Sequence, residues 1–146
     1  MRVLIQRVKR ASVSTGGAVL GRIGQGLLAF VGIAHSDGES HVRWMCEKIT
    51  RLRIFEDEAG KMNRAVGDIG GGILVVSQFT LYGDAAKGNR PGFAEAANPA
   101  IAKPLYEEMI RRLKATSGVP VETGSFGEEM EVELVNDGPV TLLLEK

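Results

Sequence analysis

Ile73-Leu-Val-Val-Ser-Gln-Phe-Thr-Leu-Tyr-Gly-Asp84 is the stretch from which both the fold and the chemistry of this chain are read. Ile73 to Val76 is a run of large aliphatic residues, mostly β-branched, entered through Gly70-Gly71-Gly72. Such a run is a buried strand with a flexible approach. Where it stops, Ser77, Gln78 and Thr80 bring hydroxyls and an amide to the strand end, and Gly83-Asp84 marks the exit turn. A buried strand ending in polar side chains is a rigid support for a site. Taken alone, an ordinary polar strand end is the simpler reading.

On the N-terminal side, Met1–Ser14 is rich in Val, Leu and Ile and reads as a long strand. Gly16-Gly17 closes a turn, Ala18–Ile23 returns, Gly24-Gln25-Gly26 turns again, and Leu27–Ile33 is a central strand. Three strands joined this way predict an antiparallel meander. Ser36 with Glu39 predicts a capping box. The helix it opens carries Val42, Met45, Cys46, Ile49 and Leu52 on one face, with His35 before the cap and His41 solvent-facing in the first turn. Ile54-Phe55 is a short strand before a solvated acidic turn, Glu56–Lys61, and residues 63–72 are a loop.

On the C-terminal side, Ala85–Asn98 is a long Gly-, Ala- and Pro-rich loop carrying Lys87, Asn89 and Arg90. Loops of that length are often functional, although a plain surface connection explains the composition as well. A second helix spans Pro99–Thr116, with Ile101, Leu105, Met109, Ile110 and Leu113 as its stripe, Pro104 as an obstacle and Gly118 as its stop. Val119–Thr123, placed at an edge by Pro120, Met130–Val135 and Val140–Leu144 complete the chain as three strands. The expected architecture is a mixed α/β single domain over residues 1–146. Its order is βββ-α-β-β-α-βββ, with a largely antiparallel curled sheet packed on two helices.

Composition narrows the function. With 146 residues and 44% hydrophobic content, one core fills without staples. The single cysteine, Cys46, precludes an internal disulfide and suits a reducing compartment. No signal peptide is read at the start, and no apolar stretch is long enough to span a bilayer. A cytoplasmic location with no membrane partner is expected. Eighteen basic and eighteen acidic residues give a formal net charge of zero, which argues against a protein that coats long RNA. It permits one that grips only the tip of a strand.

Asn136-Asp-Gly-Pro-Val-Thr141 lies between the last two strand-like runs. It reads either as a hairpin turn or as a fixed Gly-Pro turn presenting bare backbone carbonyls, at a bond where cis is tolerable. Ser77-Gln-Phe-Thr-Leu81 and Asn136-Asp-Gly-Pro-Val-Thr141 together resemble the two signatures of the D-aminoacyl-tRNA deacylase family. Leu52–Asp57, Gly60–Asn63, Lys87–Pro91, Met1–Val8 and the Leu105-Tyr106 pair are similar to it as well, so the likeness covers essentially the whole chain.

The resemblance implies hydrolysis of the ester that joins a D-amino acid to tRNA, by a homodimer without metal or organic cofactor. It assigns the catalytic segment to Ser77, Gln78, Phe79 and Thr80. It implies a cis Gly138-Pro139 that enters the partner subunit's site and excludes L-aminoacyl groups. Asn136 and Thr141 flank that pair, and Phe126, Met130 and Ala102 are implied near the pocket. Glu128 stands where the family has a small residue. Glycyl-tRNA, whose amino acid lacks the discriminating side chain, is expected to escape the filter in part.

The residues themselves are consistent with this chemistry. Both histidines lie outside the signatures, so a Ser-His-Asp triad is not expected, and one Cys with two isolated His makes no zinc spacing. What remains is hydroxyls, amides and backbone N–H groups around Phe79 and Thr80, which suffice for a labile ester. Thr80 as nucleophile and the ribose 2′-hydroxyl as helper both stay open, with the missing histidine favouring the second. A small-molecule esterase built on Thr80 and a non-catalytic dimeric RNA-binding module are the competing readings.

Overall fold

One long strand organises the computed structural model, which describes residues Met1–Lys146. β1 (Arg2–Thr15) pairs along one edge with two strands in succession. β2 (Ala18–Ile23) takes its C-terminal half, from Thr15↔Ala18 to Ala11↔Ile23. β3 (Gly26–Gly32) takes its N-terminal half, from Val8↔Gly26 to Arg2↔Gly32. Both pairings are antiparallel, so β2 and β3 run end to end, and Gly24-Gln25 interrupts one line of strand without reversing it. The expected meander is therefore corrected: β1 is long enough to take β2 and β3 in succession along one edge.

After β3 the chain forms α1 (Glu39–Arg51) and a small ribbon of β4 (Phe55–Glu56) and β5 (Met62–Arg64). It then enters β6 (Gly72–Ser77), parallel to β3, with β7 (Val121–Thr123) parallel to β6 at the sheet edge beyond Pro120. Gly26 and Gly72 meet where β3 and β6 begin, too closely for a side chain on Gly26. The fold class is the mixed α/β arrangement expected, with one more short strand, β5, in the middle.

β8 (Glu131–Glu145) lies on the other edge of β1. It is one strand where two were expected, and the Asn136–Thr141 segment is not a hairpin turn. Between Gln6↔Thr141 and Val8↔Asn136, five steps of β8 span two of β1, so residues around Gly138 and Pro139 are extruded from a ladder that continues on both sides. The reason is again the length of β1, which offers both arms a partner, so neither folds back on the other. Both neighbours of β1 break near Val8–Arg10, and a sheet bends where its ladders break. The bend brings β2 to β7: a side chain on Gly21 would stand 3.0 Å from the Thr123 carbonyl.

β6 is buried on both faces, which explains its unbroken aliphatic run. Ile73 and Val75 join the large core under the helices; Leu74 and Val76 join a smaller one with Val8, Val13 and Leu28. α1 contributes Val42, Met45, Cys46 and Ile49. Its cap is Gly38 in place of Ser36. The Asp37 carboxylate accepts from the Ala34 N–H (2.7 Å), closing a turn that moves the helix start onward, and His41 Nδ1 accepts from the Gly38 N–H (3.1 Å). His41 is therefore half-buried and engaged, where free solvent exposure was expected.

α2 (Pro99–Thr116) is capped by Asn98, whose side chain accepts from the Ile101 N–H at 3.2 Å. It buries Ala102, Tyr106, Met109 and Leu113, a face rotated slightly from the expected stripe. Ala100 and Pro104 are both exposed, so the hydrogen bond that Pro104 cannot make is missing on the solvent side.

Candidate active site

Ser77 is the last residue of β6, and the Gln78 N–H still donates to the Val31 carbonyl (2.7 Å). The first residue beyond the strand is thus held to β3. The chain then makes a single 3-10 turn, Phe79–Tyr82, in which the Leu81 N–H donates to the Gln78 carbonyl (3.3 Å) and the Gly83 N–H to the Thr80 carbonyl (2.9 Å). The turn packs on Gly32, where a side chain would stand 3.1 Å from the Gln78 carbonyl and 3.2 Å from the Tyr82 ring. Phe79 and Thr80 open the turn, so its own geometry gives their N–H groups no carbonyl to meet. The Gln78 amide donates to the Thr80 hydroxyl.

A cavity of about 670 Å³ lies beside this turn, and 12 of its 18 lining residues are hydrophobic, so its few polar groups set the orientation of anything bound. Ser77, Gln78 and Phe79 line it, and so do Ala102 from α2 and Phe126 and Met130 from the segment before β8. Six of the expected residues, from three separate parts of the chain, therefore meet at one cavity. Thr80 is exposed and stands just outside the lining, tied to it through Gln78.

Several lining residues were not read as site residues from the sequence. Phe93, from the long loop, meets Phe79 edge-on with ring centroids 5.1 Å apart. Tyr106 lies under the strand end, packs on Phe126 at 5.6 Å and donates to the Val75 carbonyl (2.9 Å). Burial drives its phenol far above the ordinary value, and a hydrogen bond with the Ser77 backbone only partly opposes that. The hydroxyl stays protonated and braces Val75, two residues before the strand end. The family likeness named the Leu105-Tyr106 pair, but the expected helical stripe passed through Leu105, and nothing in the sequence showed this contact. Glu128 and Glu129 stand exposed on the lining, and neither histidine is part of it. No group of three or more His, Cys, Asp and Glu side chains forms a metal site. Burial pushes the Cys46 thiol up to about 11, with Arg112 pulling it partly back, and the thiol contacts the Met109 carbonyl inside the core.

The second signature lies elsewhere on the same chain. Gly138 and Pro139 are exposed, the bond between them is cis, and neither lines the cavity. In register they stand level with Gln6–Val8, and so with Gly72–Leu74 at the start of β6, whereas Ser77 stands three to five residues further along β6. That is about 10–17 Å along the strands at roughly 3.3 Å per residue, with two strands, β1 and β3, lying between β8 and β6 across the sheet. Arg7, only 6% exposed, anchors the loop: its guanidinium donates to the Asp137 carbonyl (3.0 Å) and the Ile54 carbonyl (2.5 Å) and pairs with the Asp137 carboxylate at 3.3 Å. Asn136 donates to the Arg7 and Val140 carbonyls (3.0 and 3.2 Å). Thr141 accepts from Gln6 at 3.3 Å. The family likeness covered Arg7 within Met1–Val8, but no pattern in the sequence showed these contacts.

Comparison with known proteins gives the chain's family. The family model described as D-Tyr-tRNA(Tyr) deacylase matches residues 4–145. A D-aminoacyl-tRNA deacylase of Chloroherpeton thalassium is 59% identical over 145 residues, covering 99% of this chain and 95% of that protein. Another, from Exiguobacterium sibiricum, is 57% identical over 146 residues, all of both chains. Among solved structures, the c-Myc DNA Unwinding Element Binding Protein has a TM-score of 0.94 at 40% identity, covering 100% of this chain and 99% of that one. A probable eukaryotic D-amino acid tRNA deacylase has a TM-score of 0.85 at 17% identity and 98% and 97% coverage, a likeness of fold.

Proposed function

Since the chain belongs to the D-Tyr-tRNA(Tyr) deacylase family, we propose that it hydrolyses the ester of D-aminoacyl-tRNA, releasing the free D-amino acid and tRNA. The observation that carries this reading is the meeting of Ser77, Gln78 and Phe79 with Ala102, Phe126 and Met130 at one largely apolar cavity. The whole chain, 1–146, acts as one deacylase domain. It works in the cytoplasm on the aminoacylated 3′ end of tRNA, without metal or organic cofactor.

The ester carbonyl sits against the opening of the 3-10 turn, and the Phe79 and Thr80 N–H groups receive the oxygen as it becomes negative. One such donor elsewhere is worth about 2.7–4 kcal/mol. Water attacks the carbonyl carbon, the bond to the ribose 3′-oxygen breaks, and that oxygen takes the proton with the neighbouring 2′-hydroxyl assisting. Thr80, tied to Gln78, positions the ester. A cavity that holds no histidine favours this assignment over a threonine nucleophile. Thr80→Ala should then slow the reaction without abolishing it, and no acyl-threonine should be trapped in the parent.

The enzyme is a homodimer in which Gly138-Pro139 of one protomer enters the cleft of the other, with Asn136 and Thr141 supporting the loop. The loop's exposure and its distance from the chain's own Ser77 support this. Its carbonyls hold the α-amino group so that an L side chain meets an obstacle. Glycyl esters lack that side chain and are cleaved too. Matched D- and L-Tyr-tRNA test the reading: release of D-tyrosine alone is expected, and equal release of both overturns it. Mixed dimers of a Gln78→Ala protomer and a Gly138→Ala protomer should regain activity at one of the two sites. Failure of that complementation removes the cross-subunit loop.

A further inference from the structure

Residues 85–92, Ala-Ala-Lys-Gly-Asn-Arg-Pro-Gly, form a loop with a closed neck. The Asp84 N–H donates to the Gly92 carbonyl and the Gly92 N–H to the Asp84 carbonyl, both at 2.8 Å. The Asp84 carboxylate is turned inward onto the Ala86 N–H (2.8 Å). Everything from Ala85 to Gly92 is exposed, and Gly88 at its tip takes a φ of +84° that side chains resist. The residue after the neck is Phe93, which packs on Phe79 at the cavity. A side chain on Gly83 would stand 3.1 Å from the Phe93 ring, so the neck is docked against the catalytic turn.

The tip carries Lys87 and Arg90 and no acid. Neither makes a salt bridge, whereas Arg2, Arg7, Arg111 and Arg112 all do. Arg90 lies three residues before Phe93, within about 11 Å of backbone. With a formal net charge of zero, the molecule has no general attraction for a polyanion, so any phosphate grip has to be local. Elsewhere the cavity lining offers Glu128 and Glu129, which repel phosphate.

We propose, resting on the deacylase reading, that Lys87 and Arg90 clamp the phosphates of the RNA strand just inside its esterified 3′ end, so that the strand leaves the cavity past Phe93. The loop holds RNA and takes no part in the chemistry.

The test uses full-length Lys87→Gln/Arg90→Gln protein. Binding of uncharged tRNA is measured by fluorescence anisotropy between about 50 and 200 mM salt, and hydrolysis of D-Tyr-tRNA is compared with that of D-tyrosyl-adenosine, the terminal nucleoside alone. Removing two cations from single-strand phosphates should flatten the slope of log K against log salt by about 1.4, so the parent loses about sevenfold more affinity than the variant over that range. KM for D-Tyr-tRNA should rise with kcat unchanged, D-tyrosyl-adenosine should be cleaved equally by both, and Lys87→Arg/Arg90→Lys should keep the parent slope. Equal slopes in parent and double variant overturn the clamp, as does a matching loss on D-tyrosyl-adenosine. A parent that binds tRNA but releases no D-tyrosine overturns the deacylase reading itself, and the clamp's role with it.

Discussion

Tyr106→Phe removes one oxygen from the support of the 3-10 turn at the end of β6 and leaves the ring in place. The side chain is 2% exposed, so water cannot take the place of the hydroxyl. The Val75 carbonyl keeps a second donor, the Gly124 N–H at 3.1 Å, and is not orphaned. The loss falls on the Tyr106 hydrogen bond itself. A buried hydrogen bond whose acceptor keeps another donor is worth about 0.5–1.5 kcal/mol. In a domain of this size that lowers Tm by roughly 2–4 °C for a loss near 1 kcal/mol. Ser77 leads directly into the Phe79 and Thr80 N–H groups. If about 1.4 kcal/mol of their alignment is lost in the transition state, kcat on D-Tyr-tRNA falls about tenfold, with KM little changed. Thermal melts and single-turnover hydrolysis measure the two quantities separately. An unchanged Tm with unchanged kcat refutes the brace. A lowered Tm with full kcat refutes its positioning role and leaves only a structural one.

Arg7→Met should cost about 3 kcal/mol in urea unfolding, because the Ile54 and Asp137 carbonyls and the half-buried Asp137 carboxylate lose their common donor; a loss under about 1 kcal/mol contradicts the anchoring assigned to it. The Asp57 carboxylate is held below its ordinary value by the Asn63 amide first and then by the Lys61 and Ala59 N–H groups. Its folded pKa is depressed, so its contribution is present above about pH 4 and lost as pH falls below that. Asp57→Asn should lower Tm near pH 7 and converge with the parent once the pH falls below the depressed folded value, and a gap that persists in strong acid rules out this linkage. Cys46, protonated up to about pH 11 and buried, should resist alkylation at pH 8 until denaturant is added; rapid reaction of the folded protein would contradict its burial.

Local chemistry made much of this protein legible in one dimension. The aliphatic run Ile73–Val76, the 3.6-residue spacing of Val42, Met45, Cys46 and Ile49, and the start of α2 at Asn98-Pro99 are properties of neighbouring residues, and the elements form where those patterns lie. The two signatures were legible for the same reason, each being contiguous. Tertiary structure alone decided which strands are neighbours. β1 is long enough to pair β2 and β3 on one edge and both arms of β8 on the other, so an expected meander became one interrupted line and an expected hairpin became a bulge. Pairing partners are chosen by length and register across the sheet, which no local window contains. The same holds for Phe93, Tyr106 and Arg7, whose side chains act on segments far along the chain. Gly138-Pro139 could be read as a motif at once, but its position, three to five strand residues from its own Ser77 and two strands across the sheet, depends on how two antiparallel ladders and one parallel ladder are set against each other.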